Sequence, residues 1–453
     1  MMTHRTLKVA LLGAGSVGAQ TARQLIERRA ELAQRIGADF ELIGIAVRNL
    51  HAHRDVELPE QLFTTDADRL IDEADIVIEL IGGIEPARTY IERALSEGKD
   101  VITANKALLA AHQVDIFEAG RRGGAETWYE AAAAAAIPII RPLQDSLVGD
   151  RINRVLGIVN GSTNYILDRI DTAGITLDEA LDEASRLGYL EADPSADVEG
   201  HDAAAKATIL AGLAFHTHVP RSAVHTEGIT RLTTEQLVAA KRAGYVVKLL
   251  AIAERLPEKP GERDAVNVRV YPAMVPADHP LAAVHGGKNA IFVEALDAGD
   301  LMFYGAGAGG VETSSTVLSD FVLAAKRIVR GAPAEFVTFD ANLRIADISE
   351  VESSWHITLH VADEPGVLEQ ISAVFAGNEI SVRALHQEQL ADSAVSTTAA
   401  AGSDEATTAS AADVSLVIVT HRAPEERLRR TVEQLGETSA VRSVIGVMRV
   451  EGD

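Results

Sequence analysis

The sequence predicts an α/β chain in three portions: a doubly wound parallel sheet, an α+β middle, and a C-terminal ferredoxin-like unit of βαββαβ order. Three observations carry this. Strand-length apolar runs alternate with helical stretches through residues 1–140, the arrangement that βαβ crossovers produce. Periodicity is mixed from 141 to 345. From 353 to 453 it changes in the order strand, helix, strand, strand, helix, strand. A length of 453 residues agrees, since domains run to about 150 residues.

Taken in order, Leu7–Leu12 is a short apolar run ending at Gly13 and reads as a buried parallel strand. Val17–Arg35 has one apolar helical face through Val17, Ala22, Leu25 and Leu32. Strands are expected at Phe40–Val47, Asp75–Ile81 and Asp100–Thr103, with a helix from Glu85 to Ser96. In the middle portion, Thr163–Leu187 and Ala203–Ala214 are helical, and Val266–Tyr271 and Ala290–Leu296 are strands. A helix over Ser314–Val329 follows the glycine cluster Gly305–Gly310 and is expected to return to the first sheet. In the last portion the strands are Trp355–Val361, Ile380–Gln387, Val414–His421 and Val441–Val450. The helices between them are Val367–Gly377 and Pro424–Leu435. The segment 391–412 is almost entirely Ala, Ser, Thr and Gly and is expected to be a flexible excursion.

Composition excludes several classes. A net charge of −24 argues against nucleic acid or an anionic membrane as partner, because both are polyanions. The absence of cysteine excludes disulfides, thiol catalysis and cysteine-held metals, and suits a reducing cytoplasm. No apolar run approaches the ~18 residues of a membrane span. The N-terminal apolar run leads straight into a glycine motif, unlike a signal peptide. His51 and His53, like His216 and His218, lack a third ligand at a metal-binding spacing.

The chemistry-bearing motifs begin with Gly13-Ala14-Gly15-Ser16-Val17-Gly18, a GxGxxG placed between a strand and a helix. Glycines there permit a tight turn and close backbone approach, and the helix N-terminus attracts a pyrophosphate. The motif therefore points to a Rossmann-like dinucleotide site. The second strand ends on Arg48 rather than on an acid. That favours NADP(H), whose 2′-phosphate an arginine can hold, over NAD(H). Gly82-Gly83 and Thr103-Ala104-Asn105-Lys106 follow the third and fourth strands, so both loops belong to the same crevice.

Five acids lie between Glu191 and Asp202, followed by Lys206. Asp202 and Lys206 share a helix face at i,i+4. One reading is an exposed ion pair. The other is a site in which carboxylates hold an amine and a lysine moves a proton at an oxygen. The loop from Tyr304 to Gly310 is either a flexible linker or a surface packed against the cofactor at Gly307.

These residues together resemble homoserine dehydrogenase in its single-function form with a C-terminal ACT domain. The match is most specific from Gly188 through Asp193-Pro194 to Lys206. It is supported by Thr103–Lys106, Asn160–Tyr165, Tyr304–Gly310 and Val361–Leu368. The resemblance implies interconversion of L-homoserine and L-aspartate 4-semialdehyde in threonine, methionine and isoleucine biosynthesis. It implies that Lys206 is the catalytic lysine and that Glu191, Asp202, Asp197 and Lys106 bind substrate. Lys106 would also meet the cofactor, with Gly13 to Gly18, Arg48, Gly82, Gly83, Thr103 and Gly307. It further implies a homo-oligomer, dimer or tetramer, and threonine as effector of the last domain. A monovalent cation such as sodium would be held by Glu130 with Ala133, Ala135 and Ile137. Two departures bear on this. Six consecutive alanines, Ala131–Ala136, replace the family's glycine-containing loop, and the second glycine loop lacks its usual prolines at Ala306 and within Val311–Thr313. Two other readings remain open: another amino-acid semialdehyde dehydrogenase on the same scaffold, and a non-catalytic NADP(H) and amino-acid sensor.

Overall fold

The computed structural model describes residues 6–190, 193–257, 261, 263–341, 343–389 and 413–452. The chain forms two compact units. The first comprises Met1–Leu232, Lys248–Tyr271 and Ala283–Ile345, and the second comprises Thr233–Val247, Pro272–Ala282 and Ala346–Asp453.

The first unit opens with β1 (Leu7–Leu12), α1 (Ser16–Glu27), α2 (Arg29–Ile36), β2 (Phe40–Ala46), β3 (Phe63–Thr64) and α3 (Ala67–Glu73). Then come β4 (Ile76–Glu79), α4 (Ala87–Ser96), β5 (Asp100–Thr103), α5 (Lys106–Gly123), β6 (Thr127–Trp128) and α6 (Glu130–Ala134). Their strands form one sheet in the order β3-β2-β1-β4-β5-β6, parallel throughout. This is the doubly wound order, whose carboxyl edge is the ligand edge. The helix expected over Val17–Arg35 is two helices. Arg28 leaves helical geometry at φ −103°, ψ 17°, and its guanidinium bridges Gln24 and Glu31 across the break.

The unit continues with β7 (Ile152–Ile158), α7 (Gly161–Ala173), α8 (Leu177–Arg186), α9 (Ser195–Val198), α10 (His201–Phe215) and β8 (His225–Thr226). The span expected as one helix over Thr163–Leu187 is α7 and α8. Gly174 ends the first at φ 68°, and Thr176 opens the second through a capping box with Glu179. After α11 (Thr234–Arg242), which belongs to the second unit, come β9 (Tyr245–Arg255), β10 (Ala265–Pro276), β11 (Lys288–Ala295), β12 (Gly299–Ala306), α12 (Gly310–Arg330) and β13 (Arg344–Ile345). Strands β12, β11, β7 and β9 pair antiparallel in that order. Of these, β7, β9 and β12 were not expected. β9 is buried along most of its length, so it lacks the alternation that marks a half-exposed strand. α12 packs on the parallel sheet, where Val317, Leu318 and Phe321 join Val9, Leu11, Ile76 and Ile78 in one core. Phe321 meets Phe40 edge-on at 4.9 Å between ring centroids.

The second unit contains β14 (Glu352–Ala362), α13 (Val367–Gly377), β15 (Val382–Gln389), β16 (Asp413–Thr420), β17 (Ala423–Pro424), α14 (Glu425–Glu437) and β18 (Val441–Val450). Its antiparallel sheet runs β18-β14-β16-β15. Setting aside the short β17, that is the expected βαββαβ order. Both helices bury one face on the sheet through Ile371, Phe375, Leu428 and Leu435. The excursion expected at 391–412 lies outside the described residues. Among those residues, no helix is long and apolar enough to cross a membrane.

Candidate active site

The carboxyl edge of the parallel sheet is assembled from three loops. Gly13 takes φ +100°, and a Cβ there would lie 2.5 Å from the Leu80 carbonyl. A Cβ on Gly18 would collide with the Gly13 carbonyl. These two glycines are thus required by close packing. By contrast, a Cβ at Gly15, Gly82 or Gly83 would meet nothing within 4 Å. The result is an open backbone cradle before the N-terminus of α1, which starts at Ser16 and Val17. Such a cradle suits a pyrophosphate. Glu79, fully buried at the end of β4, shapes the second loop. Its carboxylate accepts from the Ile81 and Gly82 amides at 2.7 and 3.2 Å and from the Thr103 hydroxyl at 2.6 Å. Asn105 caps α5 and donates to the Gly83 carbonyl at 2.7 Å. Arg48 lies two residues beyond β2 and is exposed.

Lys106, the first residue of α5, points from this edge to α10. Its Nζ lies 2.7 Å from Asp202 Oδ1, while Lys206 Nζ lies 2.9 Å from Asp202 Oδ2. Asp202 and Lys206 are only 8% and 7% exposed, so theirs is a buried pair rather than a surface one. Lys206 also donates to the Val159 carbonyl at 2.6 Å. Asn160, the N-cap of α7, donates through Nδ2 to Asp197 at 2.6 Å and to Asp202 at 3.0 Å. Burial acts to raise the Asp202 pKa. The charges and hydrogen bonds of Lys206 and Lys106 outweigh it and hold the carboxyl well below the usual range. Asp197 is shifted the other way, by burial and then by the nearby Asp202 charge, against the Asn160 hydrogen bond. Glu191 lies outside the described residues.

The structure therefore brings together Lys106, Asp197, Asp202 and Lys206. Sequence reasoning gave no role to Asn160, which joins the two acids, because an Asn before a helix reads first as a cap. It also passed over Glu79 and Asn289. Asn289 is fully buried between Gly161 and Gly307, with neither amide atom partnered among the described residues. A side chain at Gly307 would collide with that amide. Gly310 in turn packs on Ser16, so the second glycine loop lies beside the first.

The alanine loop is placed differently from a ready cation site. Glu130 is buried, but its carboxylate accepts from the amides of Ile139 and Ile140 at 2.6 and 2.7 Å and of Arg141 at 3.1 Å. It also pairs with the Arg141 guanidinium at 3.3 Å. Both oxygens thus face donors. Ala135 sits at φ +51°, and its carbonyl accepts from Thr316 at 2.6 Å. Ala133 is within α6, and the Ile137 amide closes the turn on Ala134 at 3.0 Å. This donor arrangement does not fit a cation held by the Glu130 carboxylate.

A phosphate cradle at a parallel-sheet edge, facing a buried lysine–carboxylate pair, places the protein among the NAD(P)-dependent oxidoreductases. Comparison with known proteins narrows the class. Residues 13–130 match the family model "Homoserine dehydrogenase, NAD binding domain", and residues 138–322 match "Homoserine dehydrogenase". The chain is 46% identical over 447 residues to the homoserine dehydrogenase of Corynebacterium glutamicum, covering 98% of this chain and 96% of that one. It is 45% identical over 452 residues to that of Mycobacterium tuberculosis, covering 99% and 98%. The crystal structure of a homoserine dehydrogenase from Thiobacillus denitrificans superposes with a TM-score of 0.86 at 33% identity, covering 99% and 98%. A hyperthermophilic archaeal homoserine dehydrogenase in complex with NADPH matches 71% of this chain and 98% of its own at 27% identity, with a TM-score of 0.58. The chain belongs to the homoserine dehydrogenase family. It is an oxidoreductase of homoserine and aspartate semialdehyde with an NAD(P)-binding domain.

Proposed function

We propose that Lys206 is the proton donor and acceptor at the substrate C4 oxygen. The observation that carries this is a count of hydrogens. An ammonium has three, and Lys206 gives one to Asp202 and one to the Val159 carbonyl. Among the described residues the third meets no acceptor, and it is left for a substrate oxygen. In the reducing direction Lys206 passes that proton to the oxygen as the carbonyl becomes an alcohol. In the oxidising direction it takes the proton back. The nicotinamide, when bound, supplies or accepts the hydride. Asp202 aims Lys206, and the lysine's positive charge also stabilises the forming alkoxide electrostatically. Asp202, Asp197 and Glu191 bind the substrate ammonium, and Lys106 binds its carboxylate or the nicotinamide ribose.

The loops at Gly13–Gly18, Gly82–Gly83, Thr103 and Gly307 hold the dinucleotide, and Arg48 takes the 2′-phosphate of NADP(H). Lys206→Ala is expected to lower kcat by a factor of about 10²–10⁴, with the NADPH Kd unchanged within twofold. A fall of less than tenfold refutes the role.

Functionally, residues 1–140 serve the cofactor, 141–345 the substrate and dimerisation, and 353–453 form an ACT-type regulatory unit. The support for an amino-acid site there is the resemblance of Val361–Leu368 to an ACT domain, a stretch that turns at Pro365-Gly366 into α13. Threonine is the effector, and the active form is a homo-oligomer. Added threonine is expected to slow turnover, and Asp363→Ala to abolish the slowing while leaving uninhibited kcat unchanged. Inhibition that persists in Asp363→Ala places the effector elsewhere.

A further inference from the structure

Helix α7 and its N-cap place Asn160, Asn164 and Asp168 at four-residue intervals, which sets them along one side of the helix. Asn160 holds the active-site acids, and the other two hold the loop Val284–Lys288. Asn164 Nδ2 donates to the carbonyls of Val284, Gly286 and Lys288 at 3.1, 2.8 and 3.2 Å. Asp168 accepts from the Gly286 amide at 2.8 Å and pairs with His285 Nδ1 at 2.7 Å. Beneath these residues lies Lys248, on β9 and fully buried. Its ammonium donates to the Val284 carbonyl at 2.6 Å and to Asn164 Oδ1 at 3.1 Å. The charges that act on it are Asp168 and Asp171.

Among the described residues no carboxylate is in direct contact with this ammonium; burying it so is costly, and an apolar side chain would fill the space more cheaply. What the lysine adds is direction. The two ends of an Asn amide are nearly alike in shape but opposite in hydrogen bonding. Lys248 can only donate, so it accepts no arrangement except Oδ1 facing it, and Nδ2 is then aimed at the loop carbonyls. That loop in turn touches the substrate side of the site. A Cβ on Gly161, the first residue of α7, would lie 2.7 Å from the Gly287 carbonyl, and one on Gly287 would lie 2.5 Å from the Tyr189 ring. Ser162 Oγ donates to the Tyr189 carbonyl at 2.6 Å, and Tyr189 stacks on Tyr165 at 4.3 Å. The first turn of α7, the loop and the chain two residues before Glu191 are therefore interlocked.

We propose that Lys248 is a positioning residue for the substrate half of the active site. By fixing the Asn164 amide it holds the Val284–Lys288 loop on α7, and with it Asn160 and the acids Asp197 and Asp202. The inference rests on the reading of those acids as substrate ligands. Lys248→Met is expected to lower kcat/KM for homoserine at least tenfold while the NADP+ Kd stays within twofold of wild type. Lys248→Gln, which can still donate to Asn164, recovers most of the loss, and Lys248→Leu carries the same comparison if the Met variant does not fold. Because Lys248 acts through Asn164, Lys248→Met with Asn164→Ala should lose no more than Asn164→Ala alone. A folded Lys248→Met with less than a tenfold loss overturns the proposal. So does an equal loss of cofactor affinity, or losses that multiply in the double variant. A wild-type chain inactive on homoserine would instead defeat the reading of the site. The tether would then be judged by hydrogen exchange at the Gly286 amide, expected at least tenfold faster in Lys248→Met and overturned by an unchanged rate.

Discussion

At the scale of single residues, the site turns on one carboxylate shared by two lysines. Asp202 meets Lys106 across the crevice and Lys206 along its own helix, so its negative charge is kept despite burial. This part was legible in the sequence: i,i+4 spacing put Asp202 and Lys206 on one face, and a strand-end position put Lys106 at the crevice. What spacing could not reveal was burial, which separates a working pair from a surface pair worth about 0.3–0.5 kcal/mol. Buried polar residues on strands were illegible for a related reason. Glu79, Lys248 and Asn289 sit in ordinary-looking runs, and only the packed neighbours give the first two their partners and leave the third with none among the described residues. Arg48 offers a residue-scale test of cofactor choice. Arg48→Ala is expected to raise the NADP+ Kd at least tenfold and leave the NAD+ Kd unchanged, by fluorescence titration. Equal effects on both cofactors would count against a 2′-phosphate contact.

Among the elements, β1, β2, β4 and β5 were readable from continuous apolar runs, and the GxGxxG turn from its position between strand and helix; the two-residue β3 was too short to leave a pattern. The last four main strands and two helices were likewise readable, because their periods switch cleanly at Pro365-Gly366 and before Glu425. Strands β7, β9 and β12 were not: β7 and β9, buried on both faces, lose their alternation, and β12 has no buried residue to mark a core face. The element that ties the glycine loops together is α12. It begins at the second glycine loop against Ser16 and ends in the core of the parallel sheet. Phe321 anchors it, fully buried against Phe40. Phe321→Ala should cost about 3–5 kcal/mol of stability, measured by denaturant unfolding, and weaken NADPH binding in parallel. A loss under about 1 kcal/mol would mean that α12 is held by other contacts.

For the whole molecule, ionisation links the site's scaffold to stability. Burial lowers the Lys248 pKa to about 8, against about 10.4 in an unfolded chain. Between those values the unfolded chain binds a proton that the folded chain does not. Stability therefore rises with pH across that window, by at most about 1.4 kcal/mol per unit. Lys248→Met should lose this rise, and a difference between the two proteins that is flat from pH 8 to pH 10 would contradict it. The account's central claim is that the third hydrogen of Lys206 is the proton of the reaction. Its most direct test is turnover of homoserine by Lys206→Ala with and without added methylammonium, beside wild type. The account predicts a loss of at least a hundredfold, partly and saturably restored by the amine, with NADPH affinity unchanged. Turnover within tenfold of wild type, indifferent to the amine, would contradict it.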